Sequence, residues 1–134
     1  MGYKSDVKFL IKEKDYNELV EFSKTLEVPK ELERLLTNDC ECEDKSTSSF
    51  IPDGWKILTF RGIKWYKKFP EIYFMDPKNL KDNYGINVDF VRLGEEPDDI
   101  EYIENIYSYE KPIRLYVERT VDYYKNLWFA DPAI

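Results

Sequence analysis

Histidine is missing altogether from these 134 residues, and cysteine occurs only twice, at Cys40 and Cys42. Without histidine the chain has no side chain whose ordinary pKa lies near neutrality, the usual source of a general base. Two thiols one residue apart, with no other sulfur or imidazole, cannot complete a four-ligand zinc site. They are expected to be exposed and reduced. Positive charge is also short: 20 Lys and Arg stand against 27 Asp and Glu, a net −7. That balance disfavours nonspecific binding to nucleic acid or to an anionic membrane. No apolar run approaches the ~18 residues of a spanning helix, and the opening MGYKSDVKFL has no signal-peptide pattern. The expectation is a soluble protein of the cytoplasm.

What is present suffices for one folded domain covering 1–134. Hydrophobic residues make up 43% of the chain and aromatic residues 16%, and each buried aromatic removes roughly 150–250 Å² from water. Over residues 3–12 the apolar positions Val7, Phe9 and Ile11 alternate with polar ones, as in a strand with one buried face, Leu10 excepted. Tyr16, Leu19, Val20, Phe22 and Leu26 then recur at helical spacing, and Leu32, Leu35 and Leu36 predict a short second helix after Pro29. Residues 38–54, NDCECEDKSTSSFIPDG, predict a long mobile acidic loop.

The stretch GWKILTFRGIKWYKKFPEIYFM (54–75) holds two of the three tryptophans and five basic residues. Trp55 to Phe60 carries apolar groups on both faces, which predicts a central strand broken at Gly62. Pro70 and Glu71 predict a helix N-terminus in preference to a strand over 71–76, and Pro77 is expected to stop regular continuation. Asn83–Gly85 predicts a turn before a strand from Ile86 to Leu93, and the segment around Ile100 and Tyr102 allows another. Alternation of Ile113, Leu115, Val117 and Val121 predicts a further strand. The aromatic tail 122–134 is expected to dock on its own core, or alternatively on a second copy or a partner.

Together these elements predict an α+β fold: an antiparallel sheet with helices on one face, a ferredoxin-like variant. Phe9, Leu19, Ile57, Phe90 and Val117 are the expected core.

Two surfaces are candidates for function. Residues 53–68 carry +4 against −11 for the remainder, a basic island suited to a compact anion. There Arg61 and Arg92 would grip phosphate, Lys64 would add charge, and Trp65 or Tyr66 would stack on a base. The bland alternative places Trp65 and Tyr66 in the core. Between 95 and 110 stand seven acids and no base. Glu95, Asp98, Asp99 and Glu101 with Tyr102 would offer a carboxylate and aromatic surface to a basic protein partner. Its bland alternative is a solvated edge strand protected by charge.

MGYKSD at Met1–Asp6, Lys64–Trp65–Tyr66 followed by Phe69–Pro70, and Arg92, Gly94, Glu95 with Asp98 to Ile100 resemble motifs of a family of small proteins encoded by bacteriophages and prophages. The resemblance runs from residue 1 to about 121. Lys4 stands where that family has arginine, and Pro77 interrupts a helix the family implies. It implies a phage accessory protein, a class that often disarms host defences. The expectation is therefore a non-enzymatic protein, with no cofactor or metal, that blocks or sequesters a bacterial host factor. A sponge for a small phosphorylated nucleotide is the alternative, and a structural or virion-associated role comes third.

Overall fold

The computed structural model describes residues 2–25, 27–119 and 126–132, with side chains described as far as Leu115. Its elements are β1 (Ser5–Lys12), α1 (Glu13–Ser23), α2 (Glu31–Thr37), β2 (Glu41–Glu43), β3 (Trp55–Ile63), α3 (Pro70–Phe74), α4 (Pro77–Tyr84), β4 (Asp89–Leu93), β5 (Ile100–Glu104), β6 (Ile113–Arg119) and β7 (Asn126–Pro132). Five strands form an open antiparallel sheet in the order β2-β3-β1-β4-β5, and β6 pairs with β7 in a separate antiparallel ribbon. The four helices among the described residues all pack on one face, so the fold is α+β as expected. β1 and β2, which flank the first two helices, run parallel with β3 between them, and β3 and β4, which flank the next two, run parallel with β1 between them; this is the double split βαβ order of the expected ferredoxin-like variant, with β5 added at one edge. No helix among the described residues is long and apolar enough to cross a membrane.

Alternation decides which face each strand residue serves. Val7, Phe9 and Ile11 point into the helix-side core with Leu58, Phe60, Val88 and Phe90, against Leu19, Leu32, Ile72 and Leu80 from the helices. Leu10, Ile57, Val91 and Leu93 point the other way, under Ile51, Ile106, Ile113 and Leu115. Leu10 thus ceases to be an exception: the sheet is covered on both faces, and β1 is buried on both. Four rings anchor the helix-side core. Phe9 lies 5.9 Å from Phe60 and from Trp65, and 5.2 Å from Phe90, between ring centres.

Proline sets the two short helices after β3. Pro70 and Pro77 each stand at a first helical position, where the missing N–H has no partner to lose. Pro77 therefore starts a new helix and does not merely end the old one, and Gly85 closes it in the left-handed region at φ 66°. The expected turn at 83–85 is thus a helix end, and β4 starts at Asp89, three residues later than expected. Gly62, at φ 57°, does not end β3; it sits beside the register shift between Ser5 and Val7, and its N–H donates to Asp6 Oδ1 at 2.7 Å.

The expected acidic loop and the expected docking tail each contain a strand. Residues 38–54 hold β2, paired with β3 through Glu41–Thr59 and Glu43–Ile57. Asp44 caps the turn that follows, accepting from Ser46 N at 2.9 Å and from Lys56 Nζ at 2.9 Å, and Ile51 is buried. In the tail, Asn126–Pro132 is β7, paired with β6. The side chains of Val117 and of 122–134, including the expected docking aromatics, lie outside the described residues.

The core assignment has a direct consequence. Phe90→Ala should lower the free energy of unfolding by ~3–5 kcal/mol, whereas exposed Lys45→Ala should change it by less than ~0.5 kcal/mol. Urea unfolding measures both, and a Phe90→Ala midpoint equal to that of the parent would contradict the position of β4.

Candidate functional site

The basic island separates into three places. Arg61, on β3, is exposed and its Nε donates to Glu41 Oε2 at 2.6 Å. Lys64 is exposed just past the end of β3 and lines a cleft. Trp65 belongs to the core, against Phe9, Phe60 and Phe90, as the bland alternative had it. Tyr66 packs against Phe69 at 5.4 Å, with the Lys68 ammonium 5.7 Å from its ring centre. Arg92 lies on β4, on the far side of β1 from Arg61, which sets the two strands roughly 10 Å apart. The contacts of Arg61 and Arg92 run to different carboxylates, so the structure does not gather the five expected ligand residues around one point.

Arg92 instead organises a polar cluster at one end of the sheet. Its Nη2 donates to Asp99 Oδ1 at 2.7 Å and its Nη1 to Asp99 Oδ2 at 3.1 Å, a two-pronged pairing. Nε donates to Glu101 Oε1 at 3.0 Å, and Nη1 reaches Ser5 Oγ at 3.1 Å. Tyr3 Oη donates to Asp99 Oδ2 at 2.7 Å and accepts from the Glu96 N–H at 3.0 Å. The hydrogen bond to Asp99 is foremost in raising the guanidinium pKa above its ordinary value, and burial only partly opposes it. The opening MGYKSD and the later RLGEEPDDI, about 90 residues apart in sequence, are therefore joined through Tyr3, Ser5, Arg92 and Asp99.

The acidic run is consequently less acidic than its composition. Asp99 and Glu101 pair with Arg92, Glu104 with Lys111 at 2.8 Å, and Glu110 with Lys12 at 3.2 Å. Glu95 accepts from the Lys4 backbone at 3.4 Å, and Asp98 and Tyr102 are exposed. Of the five expected partner-binding residues, Glu95, Asp98 and Tyr102 present themselves to solvent, while the charges of Asp99 and Glu101 are compensated. No periodicity could have shown this, because the compensating cations come from β4, from β1 and from the segment before β6.

Lys111 also reaches Asp89 Oδ2 at 2.6 Å, and both side chains are almost fully buried. Asp89 Oδ1 accepts from the Ile106 N–H at 3.1 Å. Burial raises the Asp89 carboxyl above the usual carboxylate range despite these partners. This ion pair fastens residues 105–111 to the start of β4.

Cys40 and Cys42 are half-buried against the helix-side core, not exposed as expected. Burial, with Cys42 close by, pushes the Cys40 thiol up to about 12, far from the thiolate needed for reactivity.

A cleft of about 710 Å³ opens between α2, α3 and the end of β3. Lys4, Arg34, Arg61 and Lys64 line it together with Glu31, Asp39 and Glu71, over a floor that includes Leu35 and Ile72. Lys4 and Arg34 were absent from the sequence-based set. Their only signal was positive charge, shared with many surface residues.

Two outcomes follow. Native protein at pH 8 should resist alkylation of Cys40 by iodoacetamide over the time in which urea-unfolded protein reacts fully; equal rates, read by mass spectrometry, would place the thiol in solvent. The second concerns Gly94, where a Cβ would stand in the space held by the Tyr3 hydroxyl and the clamped Asp99 carboxylate. Gly94→Ala should therefore destabilise the fold by about 1–3 kcal/mol in urea unfolding, and a neutral effect would show the cluster to be loose.

No family model, no curated protein and no solved structure matches this chain.

Proposed function

We propose that this chain is a non-catalytic binding protein that docks a basic surface of a bacterial host protein along the β5 edge and acts by covering it. One observation carries the reading. β5 is one of the two outer strands of the sheet, with Tyr102 46% exposed on it, and Tyr107 and Tyr109, just beyond it, are 58% and 82% exposed. The last two rings are stacked, 5.5 Å apart and within 10° of parallel. Tyrosine supplies large interface area at small entropic cost, and a stacked pair is already ordered before it meets a partner.

Charge supports the choice of partner. Glu95, Glu96 and Asp98 lie at the start of β5 and the tyrosine pair beyond its end, so the surface runs the roughly 17 Å length of the strand. Exposed carboxylates on a chain of net charge −7 favour encounter with a cationic surface. The backbone groups on the outer side of β5 also offer a ladder to an incoming strand. The resemblance to phage-encoded proteins supports a bacterial host factor as the target, with blockade of a defence component as the outcome.

The test compares two double variants, Tyr107→Ala/Tyr109→Ala and Glu95→Lys/Asp98→Lys, with the parent in capture of a protein from bacterial lysate, followed by affinity measurement on that protein. Asp99 and Glu101 are left intact, because reversing them would break the Arg92 cluster. Loss of the tyrosines should weaken binding at least about tenfold, and charge reversal should slow association and flatten its salt dependence. Parent-like affinity and salt dependence in both variants would remove β5 as the interface.

A further inference from the structure

We propose that the cleft between α2, α3 and the end of β3 is a binding site for a phosphorylated nucleotide, separate from the β5 surface. Four cations converge there from four parts of the chain: Lys4 ahead of β1, Arg34 on α2, Arg61 on β3 and Lys64 after it. On a chain of net charge −7, this convergence is a local reversal of sign that a structural role does not require. The Lys4 and Lys64 ammonium groups are exposed and engage no carboxylate among the described residues, so they are available to phosphate oxygens. Arg34 is held only at 3.9 Å from Asp39, with three quarters of its side chain in solvent, and can turn toward a ligand.

The remaining lining narrows the ligand class. Glu31, Asp39 and Glu71 put carboxylates into the same cleft. The lining thus carries 4 − 3 = +1, which suits a compact anion that also bears hydrogen-bond donors, while the chain's net −7 would repel the flanks of a long polyanion. Leu35, Ile63, Phe69 and Ile72 form the apolar part of the lining, against which a base can lie. Phosphates at Lys4 and Lys64, a base on the apolar floor and its amino group toward a carboxylate use all three kinds of lining. The volume of about 710 Å³ accommodates a mono- or dinucleotide. Trp65 and Arg92 have no part in this site.

Isothermal titration of the full chain with ATP, ADP-ribose, cyclic di-AMP and inorganic pyrophosphate tests the assignment. At least one nucleotide should bind with Kd below about 10 μM and pyrophosphate at least tenfold more weakly. Lys4→Ala/Lys64→Ala should lower that affinity tenfold or more, and Lys78→Ala, a change on α4 outside the cleft, should leave it unchanged. Both lysines are exposed, so circular dichroism should match the parent. No heat from any nucleotide, equal affinity for pyrophosphate, or binding that survives the double lysine change overturns the proposal. The Tyr107→Ala/Tyr109→Ala protein should bind nucleotide normally, which keeps failure of this site distinct from failure of the β5 surface.

Discussion

Burial of β1 on both faces is the constraint from which the rest of the architecture follows. A strand with Val7, Phe9 and Ile11 on one side and Leu10 on the other needs two covers. Helices supply the first, and the segments carrying Ile51, Ile106, Ile113 and Leu115 supply the second. Because β1 is central, its hydrogen-bonding edges are taken by β3 and β4, which leaves the outer positions to β2 and β5. Those two end strands differ in kind. β2 is three residues long and followed at once by a capped turn, whereas β5 is longer and bordered by tyrosines. An outer strand is a potential template for unwanted pairing, and of the two only β5 has exposed tyrosines on it and just beyond it.

Much of this was legible in the chain. The period-two pattern of 3–12 located β1 to within two residues, helical spacing located α1 and α2, and Pro70 with Glu71 decided for helix over strand at α3. Where reading failed, a local signal was outweighed by a distant one. Counting acids concealed β2, whose pairing depends on β3, and Pro77 looked like a terminator because proline signals the same thing at a helix start and just past a helix end. Arg92 illustrates the larger limit. Its charge suggested an anion from outside, but Asp99, Glu101 and Ser5 satisfy it from within, and nothing at position 92 reveals that a carboxylate seven residues later folds back.

The same limit explains why the two candidate surfaces changed composition. The acidic run lost Asp99 and Glu101 to internal pairing and kept its tyrosines. The basic island lost Trp65 to the core and Arg92 to the polar cluster, then gained Lys4 and Arg34 from sequence positions 30 apart. Surface chemistry is set by which side chains remain uncommitted after folding, a quantity that composition does not contain. Net charge survives this sorting better than any single residue does, because it is a sum.

Lys111 and Asp89 illustrate a further consequence of the packing. Removing either partner of a buried ion pair strands the other charge in a medium that solvates it poorly, while exchanging both for apolar groups of similar size is often tolerated. Drift at these two positions is therefore coupled: among descendants of this sequence, 89 and 111 should change together or not at all, even though exposed positions such as Lys45 are free to vary one at a time.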